Sequence, residues 1–461
     1  MKILSCVRSD KITDIKGGNK SIHVRTVILG GGLTGVTLAR LLDSQGEEVV
    51  VLEAGPEIGG LCRSFTDNGF TFDAGGSHII FSRDEEVLRF MQDVLGSNKD
   101  TRVRKTKILY KGRYIKYPFE NGLHDLPKED LFFCINEFVK ALIAAEKGMA
   151  KAPVNFREWI FHTFGRGIAE LYMVPYNEKI WKYPTVQMSH HWVEGRVPRP
   201  PVEDVIKSAI GIETEGYTHQ AQFTYPVRGG INALVTAIAA PVRDTIITGF
   251  SVRSVKKAGN AWRVSDGVRT IEGDRCICTM PVQALLGSMG NVPASVLKAG
   301  DSLCYNSVAC IFLGVRGRVP DISWLYIPEK AAGLENRVSF PSNYSTEVAP
   351  PGHGSILTEI TYQPGDEVAH MKDEELIRHV IASLAKAKII DPADVVYSSI
   401  ARQRYAYVVY DLEYQKNIGV VRGFCEKAGI PLIGRFAKFE YLNMDGCIRD
   451  ALDFVKGQAC G

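Results

Sequence analysis

The stretch VRTVILGGGLTGVTLARLLDSQGEEVVVLE, residues 24–53, decides the fold. Its apolar run Thr26–Leu29 predicts a buried strand, the apolar spacing of Val36–Leu42 predicts a helix, and Glu48–Leu52 predicts a second strand. A G-x-G-x-x-G turn separates the first strand from the helix. Its glycines are Gly30, Gly32 and Gly35. This order is typical of a βαβ unit that binds a dinucleotide, and an ordinary glycine-rich turn is the alternative.

The positions of this turn have separate physical roles in the predicted unit. Gly32 has no side chain, so a pyrophosphate can approach its backbone, and Gly35 lets the helix pack closely on the strand. The N-terminus of the helix offers unpaired N–H groups and a partial positive charge to the phosphates. Glu53 stands at the tip of the second strand, 18 residues after Gly35, where a carboxylate accepts hydrogen bonds from a ribose diol.

A second glycine pair indicates which dinucleotide binds. Gly59-Gly60 follows the second strand and leads into Leu61-Cys62-Arg63-Ser64, and a nicotinamide-binding domain has no need of such a pair. The stretch resembles the flavoprotein fold of the amine-oxidase and glutathione-reductase type, in which a second loop crosses FAD. We therefore predict FAD as the cofactor.

Length and composition are those of a globular protein with two domains and a large core. Of its 461 residues 45% are hydrophobic and 23% are charged, and the net charge of +3 argues against nucleic acid as the main partner. The ten cysteines are scattered, and the close pair Cys276-x-Cys278 lacks a second pair to complete a metal site. We therefore predict no metal, and reduced thiols in a cytoplasmic protein.

The sequence predicts no membrane span. It contains no run of eighteen apolar residues, so no membrane-spanning helix is expected. The short apolar stretch Ile3–Val7 is followed by charges and glycines, which makes a poor secretory signal. We predict that residues 1–23 form a mobile N-terminal extension.

Two segments of different character follow the nucleotide-binding stretch. Residues 84–218 are predicted to be a mainly helical substrate or lid domain, with short strands at Ile108–Tyr110 and Tyr114–Lys116. Residues 291–424 are predicted to be a substrate domain with an antiparallel sheet, which a helix at Asp373–Lys386 covers. The predicted strands of this sheet are Val308–Val315, Trp324–Ile327, Arg337–Ser339 and Ser355–Tyr362.

The segments 24–83, 219–290 and 425–461 are assigned to one discontinuous FAD-binding domain. A helix is predicted to start near Cys447, and its N-terminus can stabilise negative charge on the flavin. The fold class is therefore α/β, with a Rossmann-like FAD-binding domain, an inserted helical domain and an antiparallel-sheet substrate domain. The residues predicted to contact FAD are Gly30, Gly32, Leu33, Thr34, Gly35, Glu53, Gly59, Gly60, Leu61, Arg63, Gly76, Ser77, Val252, Arg435, Asn443, Met444 and Asp445.

Eight further stretches, in this order, resemble one family. They are GGSHIIFS (75–82), KYPFENGLHDLPKED (116–130), AELYMVPYNEKIWKYPT (169–185), HHWVEGRVPRP (190–200), FTYPVRGG (223–230), SWLYIPE (323–329), RVSFPSNYS (337–345) and GRFAKFEYLNMD (434–445). The chain resembles the UDP-galactopyranose mutases, the eukaryotic type more than the bacterial one, within the FAD amine-oxidase and glutathione-reductase superfamily. The resemblance runs from about residue 24 to the C-terminus.

The resemblance implies an isomerase that interconverts UDP-galactopyranose and UDP-galactofuranose, as in galactofuranose biosynthesis. In that family, N5 of reduced FAD attacks the anomeric carbon with no net redox, and NADPH or NADH is the implied reductant. The implied catalytic residues are His78 beside the flavin and two arginines on the pyrophosphate, Arg196 and Arg337. The implied substrate-binding residues are Phe81, Tyr117, Glu120, Asn177, Trp181, Tyr326, Tyr407, Tyr441 and Asn443. The expected partner is the nucleotide-sugar substrate, and whether the chain forms a homo-oligomer is left open.

Three departures from the family pattern leave alternatives. Ser77 is an extra residue before His78, Tyr407 and Tyr410 compete for one role, and Glu120 stands where a glutamine is expected to contact the nucleotide. A carboxylate only accepts hydrogen bonds, which suits guanine, so a mutase acting on a GDP-hexose is one alternative.

Two further function classes are weighed against the mutase. One is an FAD-dependent oxidase of the protoporphyrinogen-oxidase or amine-oxidase type, and the other is a flavin-binding scaffold without catalysis. Paired arginines in the substrate domain favour the mutase, because an oxidase pocket is largely apolar or aromatic.

Overall fold

The computed structural model describes residues 21–459 apart from residues 150, 194–196, 198 and 215–220. The strands, in chain order, are β1 Ser21–Leu29, β2 Val49–Leu52, β3 Ser64–Asp67, β4 Phe70–Asp73, β5 Asp100–Val103, β6 Thr106–Tyr110, β7 Arg113–Lys116, β8 Gln222–Tyr225, β9 Ile246–Ile247, β10 Ser254–Ala258, β11 Ala261–Ser265, β12 Thr270–Cys278, β13 Tyr305–Arg316, β14 Trp324–Tyr326, β15 Arg337–Ser339, β16 His353–Tyr362 and β17 Val395–Val408.

The helices share the same described range. In chain order they are α1 Leu33–Ser44, α2 Glu85–Leu95, α3 Lys128–Glu146, α4 Phe156–Ile168, α5 Val174–Trp181, α6 Val202–Ala209, α7 Asn232–Ala239, α8 Val282–Ser288, α9 Ala294–Asp301, α10 Glu367–His370, α11 Asp373–Lys386, α12 Tyr414–Ala428 and α13 Met444–Ala459. Among the helices of the described residues, none combines the length and apolarity that crossing a membrane requires.

The first sheet contains the predicted βαβ unit. Its strand order is β10-β11-β12-β1-β2-β9, and the four strands from β12 to β9 run parallel. β1 leads through α1 to β2, as expected for a nucleotide-binding fold. α1 packs its apolar side against α13, where Leu38 and Ala451 are both fully buried. The C-terminal segment is therefore brought to the nucleotide-binding turn.

The strand β1 begins inside the predicted N-terminal extension. Ser21, Ile22 and His23 pair with Thr270–Glu272 of β12, so the predicted mobile extension over residues 1–23 is wrong for its last three residues. A strand forms there because β12 offers a parallel partner for these residues. Residues 1–20 lie outside the described part of the chain.

The second sheet has seven strands in the order β17-β13-β16-β15-β14-β6-β7. α11, which begins and ends where the sequence predicts, covers one face with Leu376, Val380 and Leu384. The predicted α/β fold class is confirmed, and the strands of this sheet from β17 to β14 pair antiparallel. Two features were not anticipated. β17 adds a strand beside β13, and β6 joins β14 in parallel, so strands from the segment predicted as mainly helical extend the sheet. The other domain boundaries stay predictions.

Candidate active site

The glycine turn after β1 leaves room at one position and none at another. A Cβ atom on Gly35 would lie 2.0 Å from the carbonyl oxygen of Gly30, so no side chain fits between α1 and the turn. A Cβ atom on Gly32 would meet no atom within 4 Å. Gly32 is the N-cap of α1 and provides no side-chain cap, so the N–H groups of the first helical turn face an open space. This geometry fits a pyrophosphate group.

Glu53 is held at the end of β2 by backbone N–H groups. Its Oε2 accepts a hydrogen bond from Gly31 at 2.8 Å, and its Oε1 accepts one from Gly55 at 2.7 Å. The Glu53 carbonyl also accepts from the N–H of Phe250 at 2.8 Å, which brings the loop containing Val252 beside it. The carboxylate is therefore oriented next to the turn, as a ribose-binding acid requires.

Three glycine-containing loops lie against one another. The N–H of Gly59 donates to the carbonyl of Gly31 at 2.8 Å, and a Cβ atom on Gly60 would lie 3.4 Å from the Cα of Gly32. A Cβ atom on Gly75 would lie 2.3 Å from the carbonyl oxygen of Leu61. The result is a continuous surface of backbone from the turn to the Gly75–His78 loop. Such a surface suits a long ligand that needs close backbone contact, and the residues present fit FAD.

The second sheet places three polar side chains in one row. Tyr326 on β14 pairs with Arg337 on β15, and Arg337 pairs with Glu359 on β16. Directly paired residues point to the same face of a sheet. Their neighbours on the same strands, Leu325 and Val338, belong to the apolar cluster beneath α11, so the polar row faces away from that helix.

Glu359 connects this row to the Gly75–His78 loop. It is 1% exposed and accepts hydrogen bonds from Nε and Nη2 of Arg337 at 3.0 and 2.5 Å. It also accepts from the N–H of Ser77 at 3.0 Å and from the hydroxyl of Tyr407 at 3.3 Å. Burial opposes the charge of Arg337, but Glu359 raises the pKa of Arg337 well above its ordinary value. The guanidinium therefore stays charged and its plane is fixed.

His78 lies beside this network as a neutral imidazole. Its Nδ1 is 2.8 Å from the carbonyl oxygen of Gly76, and because a carbonyl only accepts, Nδ1 carries the proton. Burial lowers the pKa of His78 to about 4. At pH 7 its Nε2 is therefore an unprotonated acceptor. The extra residue Ser77 is accommodated through its N–H on Glu359 and through its hydroxyl, 3.0 Å from that of Tyr344.

Aromatic side chains surround the polar row. Tyr326 packs against Tyr117 and Tyr176, with ring centroids 5.1 and 5.2 Å away. Trp181 packs against Tyr407 at 6.0 Å and Tyr441 at 5.6 Å. Burial raises the pKa values of Tyr117, Tyr176 and Tyr407, so their hydroxyls remain protonated donors at neutral pH.

The structure places Arg435 within this aromatic cluster. Its Nη1 and Nη2 donate to the carbonyls of Leu442 and Ala406, each at 2.6 Å, and its Cζ lies 4.6 Å from the ring centroid of Tyr441. Its Nε is buried and makes no hydrogen bond within the described residues. Arg435 thus ties β17 to the C-terminal segment. The sequence analysis predicts that Arg435 contacts FAD, and that contact stays a prediction.

Other predicted substrate residues have varied surroundings. The amide of Asn177 on α5 bonds locally. Its Nδ2 donates to the carbonyl of Met173, directly before the helix, at 2.7 Å, and its Oδ1 accepts from Nε1 of Trp181 at 3.0 Å. Asn177 therefore orients Trp181. Glu120 is 4% exposed in the turn that follows Tyr117. Phe81 is half-buried directly after the bridge between Ile80 and Thr224.

The remaining predicted residues lie at helix starts or outside the described part. Asn443 is exposed before α13, and Met444 begins that helix, three residues before the predicted start at Cys447. Asp445 accepts from the hydroxyl of Ser82 at 2.6 Å. Leu33 and Thr34 form the first turn of α1, and Arg63 donates from Nε to the Gly60 carbonyl at 3.1 Å. Arg196 lies outside the described residues, so its distance to Arg337 is not defined.

Tyr407 and Tyr410 have different surroundings in the structure. Tyr407 turns its hydroxyl to Glu359, in the polar row. The Tyr410 hydroxyl accepts from the N–H of Tyr441 at 2.6 Å, and its ring stacks on Trp192. Tyr407 is therefore the tyrosine that reaches the candidate site.

Two neighbours of the site were missed from the sequence. Glu359 had a detectable signal, since it is the one acid inside the otherwise apolar and hydroxyl-bearing stretch SILTEITY. Arg104 had none. Its Cζ lies between Tyr117 and Trp324, 5.0 and 4.7 Å from their ring centroids, where it makes cation–π contacts.

Comparison with known proteins identifies a large group of relatives. The model of a family described as flavin-containing amine oxidoreductase matches residues 33–420. An inactive all-trans-retinol 13,14-reductase from Danio rerio is 25% identical over 186 residues, which are 35% of this chain and 30% of that protein. The flavin-containing amine oxidase A of Sus scrofa is 32% identical over 111 residues, 23% of this chain and 20% of that protein. The chain thus matches less than a third of the length of each of these two curated relatives.

Solved structures match over nearly the whole chain. A crystal structure of reduced UDP-galactopyranose mutase has a TM-score of 0.87 and 28% identity, and the match covers 95% of this chain and 94% of that one. Putrescine oxidase bound to putrescine has a TM-score of 0.66 and 17% identity, with 96% and 100% coverage, which shows a shared fold alone.

Proposed function

The chain is an enzyme of the flavin-containing amine oxidoreductase family, and on that premise we propose that it is a flavin-dependent mutase that interconverts the pyranose and furanose forms of a nucleotide sugar. UDP-galactose is the first substrate to test, because the reduced UDP-galactopyranose mutase is similar at 28% identity over 95% of this chain. The proposal includes reduced FAD as the active form, with NADPH or NADH as its reductant.

The observation that carries the proposal is the position of Arg337 between Tyr326 and Glu359 in the polar row. Glu359 holds Nε and Nη2, while Nη1 makes no hydrogen bond within the described residues and can take a phosphate oxygen. The hydroxyl of Tyr326 adds a neutral donor to the same face, whereas the hydroxyl of Tyr407 already donates to Glu359. Such a group stabilises a departing diphosphate, whereas an amine substrate would meet a like charge.

The neighbouring side chains have roles that follow from their protonation. The chemistry that reduced FAD supplies when bound is a nucleophilic N5 for the anomeric carbon. Neutral His78 can hold a proton at Nε2 during turnover, since its Nδ1 is already used by Gly76. Trp181 and Tyr441 pack with their ring centroids 5.6 Å apart, and in the proposed mutase these rings are the groups that would shield the sugar from water and limit its hydrolysis.

Product analysis tests the proposal directly. UDP-galactose is given to dithionite-reduced and to oxidised enzyme without oxygen, and the sugars are analysed by NMR. We expect a pyranose–furanose mixture with reduced enzyme only, and no stoichiometric use of reductant. An enzyme that instead consumes oxygen with an amine or a porphyrinogen, and leaves the nucleotide sugar unchanged, would be an oxidase and would overturn the proposal.

Glu120 is the candidate selector of the nucleotide base. It is buried beside Tyr117 and contributes to the raised pKa of Tyr117. A carboxylate accepts two N–H groups from guanine but offers no donor to uracil. The test compares turnover of UDP- and GDP-sugars by the wild type and by Glu120→Gln. A UDP preference that the substitution leaves unchanged would remove Glu120 from this role.

A further inference from the structure

We propose that Lys179 is a positioning residue for diphosphate binding, which holds the connection between β14 and β15 against helix α5. The inference rests on the function proposed above, because it assigns Lys179 a role in placing Tyr326 and Arg337. Among the described residues, the Lys179 side chain bonds to backbone carbonyls and not to the side chain of Tyr326 or Arg337. It acts on the backbone that joins them.

The side chain of Lys179 is buried and fully directed at this backbone. It is 2% exposed, and its Nζ donates to the carbonyls of Ile327 at 2.9 Å and Glu329 at 3.0 Å. A buried ammonium is costly to desolvate and is retained only where it makes specific hydrogen bonds. Here the two acceptors belong to one short loop, so the charge determines where that loop lies.

The loop carries a site residue at each end. Tyr326 precedes Ile327, and Arg337 follows the buried residue Asn336. Within the loop, the N–H of Ile327 donates to the Asn336 carbonyl at 3.1 Å, which closes the hairpin. Because Tyr326 and Arg337 are directly paired across β14 and β15, a shift of the loop displaces both together. Their common position therefore depends on what holds Ile327.

The helix that bears Lys179 is fixed by other contacts. The hydroxyl of Thr361 on β16 donates to the Lys179 carbonyl at 3.1 Å. Nδ2 of Asn306 on β13 donates to the carbonyls of Ile180 and Trp181 at 2.9 and 2.6 Å. These bonds fasten the C-terminal end of α5 to the sheet without involving the hairpin. Lys179 then extends from a fixed helix to the loop.

Opposite charge lies nearby to balance the ammonium. Glu335, in the same loop, is 1% exposed and interacts electrostatically with Lys179. Its Oε1 accepts from the hydroxyl of Ser383 on α11 at 2.6 Å. The loop is thus held from α5 on one side and from α11 on the other. The charge of Lys179 is part of this arrangement, so an apolar residue of the same length cannot replace it.

The test compares Lys179→Met with Lys182→Met in the FAD-loaded enzyme. Lys182 lies three residues on, is partly buried, and makes no side-chain hydrogen bond within the described residues. We expect Lys179→Met to bind FAD with an unchanged absorbance spectrum, to bind UDP at least tenfold more weakly, and to show faster amide hydrogen exchange over residues 327–337. Lys182→Met is expected to match the wild type in all three measurements.

The measurements distinguish failure of the positioning role of Lys179 from failure of the proposed function. Equal UDP affinity and equal exchange in Lys179→Met and wild type would overturn the positioning role. If the wild type binds neither UDP nor GDP, the proposed function fails. Faster amide hydrogen exchange over residues 327–337 in Lys179→Met would then still support the role of Lys179 in holding the β14–β15 hairpin. If Lys179→Met does not fold, Lys179→Gln, which keeps a donor, takes its place and is expected to lose less affinity.

Discussion

Replacing Gly32 with alanine separates cofactor binding from folding. The backbone of Gly32 has φ −71° and ψ −179°, which alanine adopts without strain. The added methyl group would meet no atom within 4 Å. We therefore expect the apoprotein of Gly32→Ala to change its free energy of unfolding by at most about 1 kcal/mol, the scale of an altered helix N-cap.

FAD binding should respond far more strongly to the same methyl group. It fills the space in front of the first turn of α1, where the pyrophosphate is predicted to approach the backbone. A hydrogen bond to a charged group contributes about 1.5–3 kcal/mol, and a methyl that displaces the phosphate would remove one or two of them. A net loss of about 2–4 kcal/mol corresponds to a roughly 30- to 1,000-fold increase in Kd.

The assay is an FAD titration of the apoprotein followed by flavin fluorescence, with thermal unfolding of each apoprotein alongside. Gly423→Ala is the matched control, because Gly423 lies on α12 and an added Cβ atom there also meets nothing within 4 Å. The FAD affinity of Gly423→Ala should equal that of the wild type. If Gly32→Ala binds FAD within threefold of the wild type, the pyrophosphate does not lie at this turn.

Three further predictions concern stability. Gly35→Ala should yield little folded protein, because the added Cβ atom would lie 2.0 Å from the Gly30 carbonyl oxygen. The soluble yield and the Tm of the variant test this, and a Tm equal to that of the wild type would contradict it. Glu359→Gln should lower the free energy of unfolding by about 2 kcal/mol, since it leaves the partly buried guanidinium of Arg337 without its counter-charge. UDP should restore part of the loss in a thermal-shift assay. Burial lowers the pKa of Lys179 from 10.5 to about 8, so the folded state binds fewer protons than the unfolded state between these values. The unfolding free energy of the wild type should therefore rise relative to Lys179→Met from pH 8 to 10.5, by up to about 3 kcal/mol, and a pH-independent difference would refute the assignment.

Much of the local architecture was predictable from the chain alone. The βαβ unit, the strand Arg337–Ser339 and the helix Asp373–Lys386 appear where the sequence places them. Short-range rules decide these elements, because apolar periodicity, glycine spacing and strand length act within about fifteen residues. The prediction that Arg337 is a site residue came from a family resemblance, and only the structure shows the polar row in which it lies.

Tertiary structure alone decided which side chains meet. Ser77 and Glu359 are 282 positions apart in sequence yet share a hydrogen bond, and β6 pairs with β14 across more than two hundred residues. The contact between Lys179 and the Ile327 carbonyl likewise spans 148 positions. Such contacts depend on the register between strands and on the path of the connections, and neither leaves a mark in local composition. The residues of the βαβ unit specify how that unit folds, whereas the packing of distant segments decides what surrounds Arg337.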